Sequence, residues 1–206
     1  MNFDENLSWK LHINSIEKKI SKNIGMIYRV KPLLNFKSLK CLYFSFIHSY
    51  LTYGNIIWAS TNHTKLKKLY SKQKHAVRII FGAGRAIPCE PLLRIIGALN
   101  IFKLNIHLVL QFMYKTKYGL SPKIFETYFK EIHHKYATRF SANHFVIPKS
   151  HSKQNSYSIQ NRGPLLWKRF PNIVSKKKTS LHQFKTNSKQ FLLNTDFDLF
   201  YYKSFF

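Results

Sequence analysis

The pattern of hydrophobic positions begins with a row of isoleucines at helical spacing. Five of them follow one another at intervals of three and four residues: Ile13, Ile16, Ile20, Ile24 and Ile27. At about 100° per residue they share an arc of roughly 80°, the signature of an amphipathic helix. Lys18, Lys22 and Arg29 fall on the opposite side. The pattern therefore predicts a helix over about 10–29 with one apolar face and one basic face.

Further segments carry helix signals along most of the chain. After Pro32, Asn35 is a suitable N-cap for a helix over 36–50, which Tyr53-Gly54-Asn55 would end. Glycines that follow periodic stretches predict other helix ends, at Gly82 and Gly119. The remaining helices are predicted over 64–81, 88–97, 101–118, 122–134 and 179–193.

The segment 64–81 places its cations on one half of a helix and its apolar residues on the other. The predicted basic half consists of Lys65, Lys67, Lys68, Lys72, Lys74, His75 and Arg78. Like charges one turn apart repel one another by a few tenths of a kcal/mol per pair, and no acid is present to relieve them. This face tolerates a small folding cost that an anionic partner would offset.

A change of composition near residue 136 predicts two regions. Residues 1–135 have the helical periodicity, whereas 136–160 are rich in Ser, Asn, Lys and His and predict an extended or loop segment. Residues 136–206 would then hold that loop, one helix and an aromatic tail. The predicted fold class is all-α, a multi-helical bundle with an irregular C-terminal extension.

The net charge of the chain limits its possible functions more than its length does. The 206 residues contain 34 Lys+Arg and only 8 Asp+Glu, a formal charge of +26. The excess of Lys over Arg is what an AT-rich coding sequence would produce, but that bias does not remove acids. Residues 18–89 hold 14 cations and no acid, and residues 132–195 hold 12 and none. This depletion favours a polyanionic partner, RNA or DNA, over compositional drift.

The same residues argue against catalysis. The eight carboxylates include no Asp pair on a strand-like segment, and Asp196 and Asp198 form the only D-x-D. No metal-ligand spacing, nucleophile motif or phosphate-binding glycine loop is present, and Cys41 and Cys89 fit no CxxC pattern. We therefore predict no catalytic residue, no metal, no cofactor and no small-molecule substrate. An intracellular location, in the nucleus or the cytoplasm, is the default for such a chain.

One uncharged stretch raises the alternative that the chain is associated with a membrane. Residues 41–64 contain no Lys, Arg, Asp or Glu and are nearly long enough to span a bilayer. Polar residues interrupt the stretch at every turn. The sequence predicts a buried helix followed by a turn, and a basic membrane-associated protein is the lesser alternative.

Several residue strings, in fixed order, resemble one family. The strings are Asp4 to Lys10, Lys19 to Lys22, Tyr53-Gly54-Asn55 with Trp58, Gln73 to Ile80, Phe112 to Lys115, Leu120-Ser121-Pro122, Tyr136 to Arg139, Gly163-Pro164 with Trp167, and Phe184-Lys185. Together they look like the segment that follows the palm in jockey-like, LINE-type non-LTR retrotransposon reverse transcriptases. Each string alone is weak, but their order spans nearly the whole chain.

The resemblance implies that the two regions correspond to two parts of such an enzyme. Residues 1–135 would be thumb-like, gripping an RNA/DNA duplex, and the rest would correspond to the connection region. The palm and fingers, which carry the family's Asp-Asp pair, have no counterpart here and would be the missing partner. The expected activity is binding of nucleic-acid phosphates by Lys18, Lys22, Arg29, Lys65, Lys67, Lys68, Lys72, Lys74 and Arg78, with Lys176, Lys177 and Lys178 as a second patch. The alternative is a truncated relic with no stable function.

Overall fold

The described part of the computed structural model is helical. It comprises residue 5 and residues 8–60, 63–131, 145–149, 152–170 and 180–195. Within these residues every regular element is a helix, and the β-bridge between Glu131 and Phe145 is isolated. The all-α prediction is confirmed. The predicted patch Lys176–Lys178 and the aromatic tail from residue 196 lie outside the described residues.

The helices follow the predicted order closely. In chain order they are α1 Lys10–Val30, a 3₁₀ turn Lys31–Leu33, α2 Phe36–Tyr43, a π-helical turn Phe44–His48, α3 Ser49–Thr52, α4 Asn55–Trp58, α5 His63–Phe81, α6 Cys89–Ile96, α7 Ile101–Lys117, α8 Ile124–Tyr128, α9 Lys153–Ser156, α10 Ile159–Arg169 and α11 Leu181–Asn194. Asn35 caps α2, accepting a hydrogen bond from the Ser38 amide at 2.9 Å. Two compact units are present, Met1–Leu104 and Asn105–Phe206.

The first unit is organised by the contact between α1 and α5, which run parallel. The isoleucine row of α1 is buried, and α1 packs on α5. At the N-terminal ends, Lys65 Nζ on α5 donates to the Ser8 carbonyl at 2.6 Å. At the C-terminal ends, Lys31 Nζ lies 3.1 Å from where a Cβ on Gly82 would stand. The two helices therefore begin at the same end of the unit.

The π-helical turn keeps one apolar face buried along residues 36–52. Leu39, Tyr43, Ile47 and Leu51 recur every four residues and are all buried. Each interval of four overshoots a full α-helical turn by about 40°, so a regular helix would rotate this row out of the core. The i→i+5 hydrogen bond from the Ser49 amide to the Phe44 carbonyl absorbs the extra residue. The predicted buried helix at 41–64 is thus buried on one face only.

A buried glutamine ties three segments of the first unit together. Gln73 on α5 has no solvent exposure. Its Nε2 donates to the Tyr43 hydroxyl at 2.9 Å and to the Leu99 carbonyl at 3.0 Å, and its Oε1 accepts from the Ile101 amide at 3.0 Å. A buried amide with each of these groups satisfied stabilises one arrangement of its neighbours, because any shift would leave polar atoms unpaired.

The second unit is built around aromatic side chains from segments distant in sequence. Tyr114 stacks on Phe184 with ring centroids 4.3 Å apart, and Trp167 lies 6.3 Å from the same ring. Phe145 meets Trp167 edge-on at 5.8 Å. Ser180 and Gln183 form a capping box at the start of α11. Residues predicted to be an irregular extension therefore contribute to a packed core.

Helix α10 was not predicted, and its sequence contains two residues of low helix propensity, Gly163 and Pro164. Both are buried within α10. Pro164 is the sixth of the 11 residues of this helix, so its missing N–H forfeits one i→i−4 hydrogen bond. A Cβ on Gly163 would lie 2.4 Å from Met113 Sδ on α7. Any larger residue at position 163 would have to displace the Met113 side chain, so glycine suits the close approach of α10 to Met113, and packing outweighs helix propensity here.

One other prediction differs from the structure. The helix predicted over 122–134 is reduced to Ile124–Tyr128, because Phe129 turns to an extended backbone and packs beside Phe112 and Phe145. The division near residue 135 stays a prediction, and the two compact units divide after Leu104, inside α7. The same aromatic contacts explain this, since residues 112–131 pack with segments beyond 144 rather than separately from them.

Among the described residues, no single helix has the length and apolarity needed to cross a membrane. Within that same part of the chain, α6 and α7 together, which meet at a 46° bend, have the length and composition of a bent span.

The α1–α5 contact can be tested by truncating one buried isoleucine. We expect Ile20→Ala to lower the free energy of unfolding by about 2 to 5 kcal/mol, because Ile20 is fully buried and the change leaves a cavity. Urea denaturation followed by far-ultraviolet circular dichroism measures the change. Leu11→Ala, on the exposed side of the same helix, is the control and should shift it by no more than about 0.5 kcal/mol. Equal effects of the two variants would contradict the described packing.

Candidate nucleic-acid interface

The three cations predicted on α1 are exposed. Lys18, Lys22 and Arg29 lie about half a turn from the centre of the isoleucine row. Since that row faces the core, these side chains point away from α5. They form a basic line of their own on the outer side of α1.

Helix α5 separates its cations into two edges that flank its buried face. By helical position, Lys65, Lys68 and Lys72 follow one edge, and Lys67, Lys74 and Arg78 follow the other. Lys67 and Lys68 are exposed, and the other four are partly buried. The structure therefore does not bring the nine predicted phosphate contacts onto a single face.

The edge with Lys74 and Arg78 is engaged within the protein. Arg78 donates through Nη2 at 2.9 Å and Nε at 3.3 Å to the Ile87 carbonyl. Lys74 Nζ lies 4.7 Å from the centroid of the Tyr70 ring, a cation–π distance. The Arg78 bonds attach the end of α5 to the segment before α6, whereas the Lys74 contact lies within α5; the helical pattern alone did not indicate either role.

The other edge of α5 meets α1 in a basic groove. A groove of about 120 Å³ is lined by Lys10, Ile13, Asn14, Lys65 and Lys68. Three lysines and one asparagine thus border a narrow channel, where Lys65 Nζ also donates one hydrogen bond to the Ser8 carbonyl. The described lining residues include no acid. Of the predicted contacts, the structure brings Lys65 and Lys68 together here.

Two residues of this groove, Lys10 and Asn14, were missed by the sequence reasoning. They lie four residues apart on the flank of the isoleucine row. Their spacing puts them on one line of α1, which is the signal that could have found them. Nothing in that spacing shows that the neighbour would be the Lys65 edge of α5.

The direction of the helices adds to the positive potential of the groove. Since α1 and α5 are parallel, their N-terminal ends lie together, and Lys10 and Lys65 belong to the first turns. Each N-terminus carries a partial positive charge from the aligned peptide dipoles. Phosphate is the anion that such an end favours, provided that side chains hold it in place.

Glu90, the acid nearest in sequence to the α5 cations, makes its hydrogen bonds and its ion pair within the protein. Glu90 accepts hydrogen bonds from Tyr70 at 3.0 Å and Asn100 at 2.6 Å, and Lys103 Nζ pairs with it at 3.1 Å. Burial raises the pKa of Glu90, but the bonds from Asn100, the attraction of Lys103 and the Tyr70 bond outweigh burial and lower the pKa below its usual value. Glu90 therefore neutralises a buried lysine rather than the basic groove.

No cluster of three or more His, Cys, Asp or Glu side chains that could hold a metal ion occurs in the described part of the chain. The D-x-D of residues 196–198 lies outside that part.

Comparison with known proteins does not assign the chain to a family. No family model, curated protein or solved structure matches the chain. The likeness to LINE-type reverse transcriptases thus rests on the ordered residue strings alone.

The Glu90 network predicts a pH dependence of stability. We expect Glu90→Gln to lower the free energy of unfolding at pH 7 by about 1 to 3 kcal/mol, because the Lys103 side chain, 4% exposed, loses its counter-charge. In the wild type, the lowered pKa of Glu90 means that the unfolded chain takes up the proton first. Its contribution should be complete above the unfolded value of 4.5 and disappear as pH falls through the folded pKa.

Urea titrations between pH 7 and pH 3 measure both effects. The difference between wild type and Glu90→Gln should shrink below pH 4.5. A constant difference across this range would show that the carboxylate charge contributes nothing.

The two edges of α5 should respond differently to neutralisation. We expect Arg78→Gln to lower the free energy of unfolding by about 0.5 to 1.5 kcal/mol, through loss of its bonds to the Ile87 carbonyl. Lys68→Gln removes the same charge from an exposed position and should change it by less than about 0.5 kcal/mol. Thermal and urea unfolding of both variants provide the measurement, and equal effects would refute the division into two edges.

Proposed function

We propose that this chain binds the phosphate backbone of RNA or DNA, independently of base sequence, through the groove between α1 and α5. The observation that carries the proposal is the convergence of Lys10, Lys65 and Lys68 with Asn14 around one channel at the N-terminal ends of two parallel helices. Lysine ammonium groups and an amide donor suit phosphate oxygens and make no distinction between bases.

Two further sets of cations extend the proposed surface. Lys72 continues the groove edge of α5 beyond Lys68, at the next helical turn. Lys18, Lys22 and Arg29 offer a separate line that a second strand, or a strand wrapping around α1, would contact. Residues 18–89 contain no acid, so most of these cations have few neighbouring carboxylates, although Glu17 lies beside Lys18 on α1.

The family proposal is that the chain is a non-catalytic C-terminal piece of a non-LTR retrotransposon reverse transcriptase. Its support is the ordered set of strings, including Gln73 to Ile80, together with the all-α fold. In this proposal the chain acts within the cell, in the nucleus or the cytoplasm, takes no cofactor or small-molecule substrate, and has the palm and fingers of the parent enzyme as its protein partner. The polymerase chemistry belongs to that partner.

A second candidate, a relic that is not stable alone, is favoured by one observation. Large apolar side chains are exposed near the end of α1, among them Tyr28 at 66% and Leu33 at 83%. Such exposure is typical of a surface that once had a partner. A monomeric, cooperatively unfolding chain in solution would argue against the relic; aggregation of the purified chain would favour it.

The groove proposal predicts a specific change in salt dependence. Fluorescence anisotropy of the full chain against an RNA/DNA hybrid, duplex DNA, single-stranded RNA and heparin, each across a salt series, gives the slope of log affinity against log salt. We expect a slope of several units for nucleic acid. Lys10→Gln combined with Lys68→Gln should reduce it by about 1 to 2, because each phosphate contact releases roughly one counterion.

The matched control removes the same charge elsewhere. Lys37→Gln combined with Lys123→Gln replaces two exposed lysines outside the groove. The control should leave the slope within about 0.5 of wild type. If both double variants reduce the slope equally, or heparin competes as well as every nucleic acid, the basic faces are generic and the groove is not the binding site.

A further inference from the structure

A second cavity lies on the other flank of α1. It has a volume of about 580 Å³, and its walls come from α1 and from the segment that contains the π-helical turn and α3. Its lining residues are His12, Ser15, Ile16, Lys19, Ser45, Phe46, Ser49, Tyr50 and Tyr53. This volume falls within the range of small-molecule and cofactor sites in proteins.

Three aromatic residues stand along one wall of this cavity. Phe46, Tyr50 and Tyr53 are spaced by four and three residues, so they follow one line of the segment. Phe46 is 39% exposed and Tyr53 is 69% exposed, although both are large rings. Exposed aromatic rings in line beside a cavity provide flat apolar surfaces that the core of this unit does not use.

The π-helical turn determines that these three rings lie on the side of the segment next to α1. The turn keeps Tyr43, Ile47 and Leu51 in the core, so the aromatic line falls on a flank of the segment beside α1. Asn23 on α1 donates from Nδ2 to the Phe46 carbonyl at 2.7 Å, which attaches the turn to that helix. The wall is thus held at a defined distance from the α1 wall.

The opposite wall is polar and positively charged. Lys19 Nζ lies 5.6 Å from the centroid of the Tyr50 ring, the middle residue of the aromatic line. Ser15 belongs to this α1 wall, whereas Ser45 and Ser49 line the cavity from the side of the aromatic line, where the Ser49 hydroxyl donates to the Ser45 carbonyl. Burial, and after it neighbouring positive charge including that of Lys19, lowers the pKa of His12, so its ring is neutral at pH 7. The described lining includes no carboxylate.

We propose that this cavity binds an unpaired nucleobase together with its phosphate. The base would stack on Phe46 and Tyr53, its edge would meet the serine hydroxyls and the neutral His12, and Lys19 would pair with the phosphate. Aromatic faces accept any base, and one lysine per phosphate sets the strand direction without reading sequence. A ligand with an apolar face and a negative group matches both walls, whereas a purely apolar ligand would leave Lys19 unused.

The site goes beyond the groove described above and shares no residue with it. Lys22 follows Lys19 by three residues on α1 and belongs to the outer cationic line. The cavity and that line are therefore neighbours on the helix surface. The source of the nucleotide is either a single strand or a free nucleoside monophosphate, and the two present the same chemistry.

The test uses the full chain and a short single-stranded RNA with one 2-aminopurine, whose fluorescence falls when it stacks on an aromatic ring. We expect quenching by the wild type. The double variant Phe46→Leu, Tyr53→Leu keeps apolar bulk and the Tyr53 carbonyl that accepts from Trp58 Nε1. It should lose most of the quenching and bind the strand about tenfold more weakly. Its affinity for a blunt RNA/DNA hybrid should be unchanged.

Two further variants keep the result interpretable. Tyr28→Leu removes an exposed aromatic residue of α1 that does not line the cavity, and it should quench as the wild type does. Lys19→Gln should retain the fold, as circular dichroism would show, and lower the salt slope for the single strand by about 1. Competition by adenosine monophosphate would assign the site to free nucleotides; its failure with a binding strand would assign it to single strands.

The proposal is overturned if the wild type does not quench, or if the Phe46/Tyr53 variant quenches as strongly as Tyr28→Leu. Failure of the groove would look different: the Lys10/Lys68 variant would keep its salt slope on the hybrid, whatever the 2-aminopurine signal does.

Discussion

The contact between the isoleucine row of α1 and α5 is the constraint on which the first unit depends. It is apolar and non-directional, and it is also the reason why α1 has two usable flanks. On one flank the parallel α5 brings Lys65 and Lys68 beside Lys10 to form the groove. On the other, the π-helical turn and α3 close the aromatic cavity. A binding function of either kind therefore depends on side chains that never touch the ligand.

Polar interactions then select one arrangement of this core. Gln73 links α5 to Tyr43 and to the start of α7, and Glu90 neutralises Lys103 with help from Asn100. In a chain with 8 acids, using Glu90 in this way has a consequence for the surface. Its carboxylate has internal partners, so the cations of α5 at the groove keep their field for an external anion.

The helices themselves were predictable, and the exceptions have physical reasons. The residues of α1, α5, α6 and α7 follow a 3.6-residue period with clear stop signals, and their observed bounds agree with the predicted ones to within a few residues. Helix α10 was not predicted, since Gly163 and Pro164 disfavour a helix locally, yet the absence of a Cβ at Gly163 lets the helix pack against Met113. Helix α8 ends early because Phe129 gains more from packing with other rings than from continuing the helix.

The sequence by itself determined most of the helices of the first unit, the apolar faces of α1 and α5, and that the chain is strongly basic. It also placed Lys65 and Lys68 on one edge of α5. Only the tertiary structure decided that this edge faces Lys10 and Asn14, while Arg78 and Lys74 serve the fold. Helical periodicity assigns a side chain to a face of its own helix, but the partner helix and its direction follow from long-range packing, which no local spacing encodes.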